Sequence, residues 1–600
     1  MPLSLIRMAN FSARIAGARW RARQLVRMLA RAVPWPRRLS PVAYLAPAGA
    51  IYGLFVLWPL LRVVWLSFTS WDGYGVPTFV GLASYGALLA DPGFGTELQH
   101  SLLWLGVTLV APVLCGLGLA LLLAETPARL GAVCRALLLV PLLLPSAVIA
   151  VIWKLMYTPL DGFLNAALQA MGLDSWVQDW LGDPDLALDS LLAAACWASI
   201  GLSLLIFGAA LAARGRETRD AAALDGANAW SAFRYLTLPH LRQALPLATV
   251  ATALCAVPSF DLVSLLTNGG PGYATTTLEL DMEGRAFGLG QVGEGAALAC
   301  IAALFGLVLS LVALAIARGY EQGGEDAVAS GPDVARPPRR MRRWLAAGVL
   351  VLVTTLLLLP VIWMVLRAGH LDWGEASPWA NVVTVWSGGF GAAFATSAWI
   401  GVCVTAATVA LAFPAAFALH RARSRRVHAA VFLLLAIGLF QPIEVLIIPL
   451  FSLIQNMGLL DTTAGVILPE IGRALPLAML LSWAALRAVP AAVLEAAVVD
   501  GALPRQILLR VALPLCVPLL AVTAVWTFLS SWNEYLLPTV VIQDDSLQTV
   551  PIALGHFIGR IDTEYALIAT GALLAAAPLL IVYGLAYGVL SAGLRRLRVL

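Results

Sequence analysis

"EAAVVDGA" occupies residues 495–502, and "DAAALDGA" occupies residues 220–227. Each phrase runs on to a Leu-Pro pair, Leu238-Pro239 after the first copy and Leu513-Pro514 after the second. Asp225 and Asp500, Gly226 and Gly501, and Pro239 and Pro514 all stand 275 residues apart, so no gap interrupts the window. An acid, a glycine and a proline held in register mark an internal duplication, and the fold has to be read as two related halves.

The surroundings of the phrase are apolar. Of the 600 residues 60% are hydrophobic and only 12% charged, with a mean hydropathy of +0.86. A water-soluble domain carries roughly twice that charge fraction. Windows of about 20 residues nearly free of charge recur along the chain, which is the signal of membrane-spanning helices. They fall near 43–69, 99–124, 135–157, 188–213, 244–267 and 292–317, and again near 344–367, 394–419, 427–451, 464–486, 518–541 and 565–590. Between the sets lies a polar stretch at 318–343, read as a cytoplasmic linker. The pattern predicts an all-α polytopic membrane protein of about 12 spans. Its two six-helix domains cover 43–317 and 344–600, and a basic leader at 1–42 lies on the lipid surface.

Charge placement sets the orientation. Of the 38 basic residues, all but Arg62, Lys154, Arg285, Arg367, Arg473 and Arg560 fall in or beside the segments that become cytoplasmic if the N-terminus is inside. Both termini are then cytoplasmic, and so are both copies of the phrase, in loops 214–243 and 487–517 between the fourth and fifth span of each half. The seven cysteines show no C-x-x-C pair and sit mostly in apolar runs, as small buried hydrophobes do. The six histidines lack metal-ligand spacing, so no metal site is expected.

Each duplicated loop is expected to form a short helix, a turn and a second helix. Pro490 suits the first turn of a helix. Ala496 to Val499 continue it, and Asp500-Gly501 breaks it, glycine permitting a backbone that other residues resist. Small Ala and Gly faces suit the closing of another protein's groove over the helix. The residues concerned are Asp220, Ala221, Ala222, Asp225 and Gly226 in the first loop, and Glu495, Ala496, Ala497, Asp500 and Gly501 in the second.

An acid-Ala-Ala-x-x-Asp-Gly-Ala phrase followed by Leu-Pro resembles the coupling loop of ABC importer membrane subunits. More narrowly, the halves look like the two permeases of carbohydrate-type importers, the maltose and glycerol-3-phosphate class. The first half carries "FVGLASY" at 79–85, "DGFLN" at 161–165 and "FDLVSLLTNGGPGYATTTL" at 260–278. The second carries "PIEVLIIPLF" at 442–451, "MGLLDTTAGVILP" at 457–469, "SSWNEYLLP" at 530–538 and "LQTVPIAL" at 547–554. The chain departs from the family in joining two permeases, in Asp220 where a glutamate is usual, and in a loosely matching segment at 368–390.

The resemblance implies a permease of the bacterial inner membrane with three kinds of partner. These are a cytoplasmic ABC ATPase dimer on the duplicated loops, an external solute-binding protein, and a carbohydrate or polyol solute. Membrane lipid surrounds the chain, and no nucleic acid partner is expected. ATP belongs to the partner subunit. A phosphate-binding loop of the G-x-x-x-x-G-K-[ST] type needs a lysine, and Lys154 is the one lysine in the sequence, preceded by "VIW". No cofactor is expected on this chain, and no acid/base constellation suggests an enzyme. An ion-gradient-driven carrier of twelve spans is the alternative.

Ionisable residues inside a span cost at least ~2–3 kcal/mol and are functional candidates by default. Asp261, Glu444 and Glu534 qualify. With Gln441, Trp532 and Asn533 they form a candidate translocation path, because carboxylates and amides beside an aromatic face suit a hydroxylated solute. Hydrogen bonding between helices is the competing role for the same residues. The loop at 157–189, with six aspartates, Trp176 and Trp180, is a candidate part of the external docking surface.

Overall fold

The computed structural model describes residues 41–213, 231, 233–256, 260–323, 340–369, 378–422, 424–439, 441–558 and 565–597. Apart from one two-stranded ribbon, Thr69–Ser70 against Thr78–Phe79, the described residues with regular structure are helical. Ala-, Leu- and Val-rich runs leave the backbone no partner but itself inside a bilayer, and a helix satisfies every N–H within its own segment.

The first half begins with α1 (Ala43–Leu66) and α2 (Phe94–Glu125). Next come α3 (Ala128–Leu138) and α4 (Ser146–Tyr157), then α5 (Ala187–Ala213), α6 (Leu238–Ala256), α7 (Phe260–Leu266) and α8 (Val292–Gly323). The second half follows with α9 (Arg340–Gly369), α10 (Gly391–Arg421), α11 (Arg425–Leu439) and α12 (Ile443–Asn456). It closes with α13 (Thr463–Ala488), α14 (Ala491–Val499), α15 (Leu513–Trp532) and α16 (Tyr565–Leu597).

Eight helices among the described residues are long and apolar enough to cross a membrane, or ten if each of two bent pairs counts as one span. The window at 135–157 is bent by 102° between Leu143 and Ser146, and that at 427–451 by 93° between Leu439 and Ile443. The cause is the same in both. Pro145 and Pro442 cannot continue a helix, and proline pushes the residue before it out of the helical region; Leu144 has φ −76°, ψ 141°. Of the remaining windows, 244–267 is divided between α6 and α7, and 292–317 opens with an apolar run described over Val292–Val308. The count of twelve therefore exceeds what the described helices supply as full-length spans.

In each half the second, fourth and fifth windows form a packed trio, α2, α5 and α6 in one and α10, α13 and α15 in the other. Small residues let the backbones approach. A Cβ on Gly116 of α2 would lie 2.6 Å from Ser203 Cβ and 2.7 Å from Leu204 N of α5. Ser203 and Thr252 share a 2.8 Å hydrogen bond from α5 to α6.

The first helix of each half crosses to the other half. α1 packs on α10 and α13, and α9 packs on α2 and α4. Tyr52 donates to Leu434 O at 2.6 Å, and a Cβ on Gly438 would lie 2.1 Å from the same hydroxyl. Reciprocally, Trp197 Nε1 donates to Leu357 O at 2.6 Å and Trp363 Nε1 to Leu155 O at 3.2 Å. The halves thus share one continuous hydrophobic core. The cysteines differ in placement: Cys134 and Cys516 are buried in smaller clusters, one in each half, whereas Cys115 of α2 is exposed.

On the side opposite the duplicated loops, Arg285 binds three carboxylates, Asp91, Asp281 at 2.6 Å and Glu294 at 2.9 Å. In the loop at 157–189, Trp180 donates to Asn165 Oδ1 at 2.9 Å. Asn165 donates in turn to Pro159 O at 3.0 Å and Gln178 O at 2.8 Å. Trp180 therefore braces the loop from inside, while Trp176 is exposed.

Candidate functional site

Both helix bends open onto one cavity of about 400 Å³ between the halves. Ser146 stands at the start of α4, and Gln441 and Glu444 flank the start of α12. Asp261 comes from α7, and Asn533 and Glu534 from just past the end of α15. Five of the six path residues read from sequence line this space: Asp261, Gln441, Glu444, Asn533 and Glu534.

Trp532 does not. It is 1% exposed, donates from Nε1 to Ala575 O at 3.1 Å, and packs between Phe394 and Phe528. α15 ends at Trp532, and the chain turns there, so Asn533 and Glu534 reach the cavity while the indole bonds to α16. Trp526 supplies an aromatic lining instead, about two helical turns earlier.

Two residues that were not among the path candidates also line the wall. Glu470 and Arg473 lie one turn apart on α13 and both line the cavity. Arg473, counted above with the few basic residues away from the cytoplasmic segments, is inside a span. Its guanidinium binds Glu534 at 2.5 Å. It also acts electrostatically on Glu470, Glu444 and Asp261. A Glu-x-x-Arg pair in an otherwise apolar window is itself a signal, because spacing of three puts both groups on one face.

Four carboxyl groups therefore converge, and their commitments differ. Asp261 accepts a 2.6 Å bond from Ser146, and Glu470 accepts from Ser531. Glu534 accepts from Arg473 and, at 3.4 Å, from Leu537 N. Glu444 is 2% exposed and its Oε2 has no partner. Gln441 Oε1, Glu470 Oε1, Asn533 Oδ1 and Arg473 Nε are also buried without partners. Unmade hydrogen bonds of buried polar groups cost about 1–3 kcal/mol each. All five belong to residues that line the one cavity.

The second duplicated phrase folds as a helix, a turn and a helix. α14 starts at the N-cap Pro490, one position earlier than a first-turn proline, and its end is capped at Asp500. Gly501 adopts φ +77°, its N–H bonds to Val498 O at 3.1 Å, and Ala502 N–H bonds to Ala497 O at 3.0 Å. This doubly bonded left-handed turn stops a helix and favours glycine. Leu494 is buried against Leu486, Ile507 and Leu508, anchoring α14 to the membrane helices. Ala496, Val499, Asp500 and Gly501 stay exposed, with Glu495 and Ala497 half-buried. Asp220, Ala221, Ala222, Asp225 and Gly226 lie outside the described residues.

Comparison with known proteins finds one family domain twice along the chain. The family model described as "Binding-protein-dependent transport system inner membrane component" matches residues 113–323 and 408–596. A probable ABC transporter permease of Pyrococcus horikoshii is 34% identical over 272 residues, covering 45% of this chain and 92% of that protein. The sulfoquinovosyl glycerol transport system permease SmoG of Agrobacterium fabrum is 30% identical, over 49% of this chain and 98% of its own length. The trehalose/maltose transport system permease MalF of Thermococcus litoralis is 30% identical, over 45% and 91%. Each relative spans about half of this chain, as expected where two permeases have become one polypeptide. The chain belongs to the binding-protein-dependent transport system inner membrane components and carries the family domain twice.

Proposed function

We propose that this chain is a two-domain membrane unit of an ATP-driven importer for a sugar-like or polyol solute delivered by an external solute-binding protein. As a family member it is a permease of the inner membrane, and ATP is hydrolysed on a separate subunit. The observation that carries the solute reading is the inter-half cavity lined by Asp261, Gln441, Glu444, Asn533 and Glu534. A volume of about 400 Å³ falls within the usual range for small-molecule sites, about 300–1,000 Å³. Carboxylate and amide oxygens accept hydrogen bonds from hydroxyls, and Trp526 offers a face for a sugar ring. Relatives bearing the names of sulfoquinovosyl glycerol and trehalose/maltose systems support the carbohydrate class.

Coupling to the ATPase falls to the loops 214–243 and 487–517. In the second loop the carrying feature is the exposed, glycine-stopped end of α14 with its small side chains. An ATPase cleft closing on Glu495, Ala496, Ala497, Asp500 and Gly501 would move α13 and α15, the helices on either side of the loop, and both reach the cavity. The matching role in the first half belongs to Asp220, Ala221, Ala222, Asp225 and Gly226.

The test is co-purification of the chain with candidate ATPase subunits, comparing wild type with Gly226→Asp plus Gly501→Asp. The reading expects two ATPase copies on the wild type and none on the double variant. ATPase retention by the double variant would refute the docking assignment. Uptake into vesicles driven by a proton or sodium gradient alone would replace the importer with a secondary carrier.

A further inference from the structure

The external segment between α1 and α2 carries its apolar side outward. Residues 73–90 hold no charged side chain, with Asp72 and Asp91 at the borders. Within this stretch the ribbon ends at Phe79 and a short helix follows at Ala83–Ala90. The polar groups of the helix point inward: Ser84 Oγ donates to Thr69 O at 3.5 Å, and the Tyr85 hydroxyl donates to Ser67 Oγ at 2.9 Å. Its outward face consists of Leu82 at the N-cap, Ala83, Gly86, Ala87, Leu89 and Ala90, all exposed and none polar. Leu82 is 68% and Leu89 77% exposed. A helix lying against water has the opposite arrangement, with its polar residues outside.

The same apolar surface continues along α1. Leu54, Trp58, Leu61 and Trp65 recur at intervals of three and four and are all exposed, so they form the stripe of this span that meets lipid. Trp65 at its outer end stacks on the exposed Phe79, ring centroids 5.9 Å apart. The bond from Tyr85 to Ser67 pins the short helix at the level where α1 ends, at Leu66. Aromatic side chains gather at that boundary between hydrocarbon and water. A contiguous exposed apolar patch marks a protein or a membrane contact, and continuity with the lipid-facing stripe of α1 selects the membrane. We infer that Phe79 and the outward face of Ala83–Ala90 lie in the outer-leaflet interface, with Leu82 and Leu89 among the upper acyl chains. Interfacial helices hold to a bilayer through such a face. Asp91, just past the helix, binds Arg285, which also binds Glu294 of α8. The lipid contact therefore sets a common depth for the outer ends of α1 and α8.

Photo-crosslinking from the full chain tests this placement. p-Benzoylphenylalanine, whose ketone inserts into nearby C–H bonds on irradiation, replaces Leu61, Leu82, Leu89 or Ser546, one at a time. The chain is held in nanodiscs of phosphatidylethanolamine and phosphatidylglycerol, and mass spectrometry reads the phospholipid adducts. Leu61 is the reference inside the span, and Ser546, exposed beside Asp544 and Asp545, is the reference in water. The inference expects adducts at Leu82 and Leu89 at the level of Leu61, and their loss at Ser546. Absence of adducts from Leu82 or Leu89 in a folded variant overturns it, and the two positions report separately, so one variant that fails to fold leaves the other decisive. Equal labelling at Ser546 and Leu89 overturns it as well. Crosslinks from Leu82 and Leu89 to protein instead of lipid, in intact cells, also overturn it and make the face a docking surface.

Discussion

Replacing Arg473 with methionine should destabilise the chain by about 2 kcal/mol, because it breaks a largely buried ion pair. The guanidinium lies 2.5 Å from Glu534, whose side chain keeps only 7% of its surface. Removing one member of a fully buried pair costs about 3–5 kcal/mol, since the remaining charge is left without compensation. Arg473 retains 30% of its side-chain surface, so cavity-side solvent screens part of that cost, and we take a value below the buried range. Glu534 also accepts from Leu537 N, a contact that an amide preserves. The double variant Arg473→Met plus Glu534→Gln should therefore regain most of the loss. Reversible unfolding in mixed micelles, run on wild type, both single variants and the double, yields the coupling energy. A loss below about 0.5 kcal/mol for Arg473→Met would refute the buried-pair argument. So would a double variant as unstable as the sum of the singles.

Two smaller predictions follow from the geometry. Trp532→Phe removes the bond to Ala575 O and should cost about 1 kcal/mol with no change in which solutes bind; altered solute selectivity would put the indole back in the transport path. At the external cluster, the hydrogen bond from Arg285 holds the Asp91 carboxyl below its ordinary value. A depressed folded-state value means stability that is present above the unfolded value, near 3.8, and lost as pH falls through the lower folded one. Wild type should therefore lose thermal stability relative to Asp91→Asn between pH 5 and pH 2, and parallel curves for the two would sink the assignment.

Much of this protein is legible in one dimension. The repeated phrase, the apolar windows and the low charge placed it in the membrane and divided it in two. The local chemistry of the second loop was also readable, because a glycine after an Ala-rich helix end is a short-range signal: Gly501 takes the left-handed φ that stops α14. The prolines that bend two spans were visible as letters. Their effect, bringing Ser146 and Glu444 to the heads of two half-helices on opposite sides of one void, was not.

Sequence by itself determined the class, the duplication and the identity of most polar residues that have to be accommodated inside the bilayer, since each depends on hydropathy and short motifs. Tertiary structure alone decided which of them meet. A helix that is apolar on every side carries no moment to say which face looks inward. Only packing could turn Trp532 away from the cavity, and only packing could bring Arg473 from α13 to Glu534 beyond α15. For the same reason the crossing of α1 and α9 between the halves has no signature in the chain: it is set by close fits such as Tyr52 over Gly438, between residues 386 positions apart.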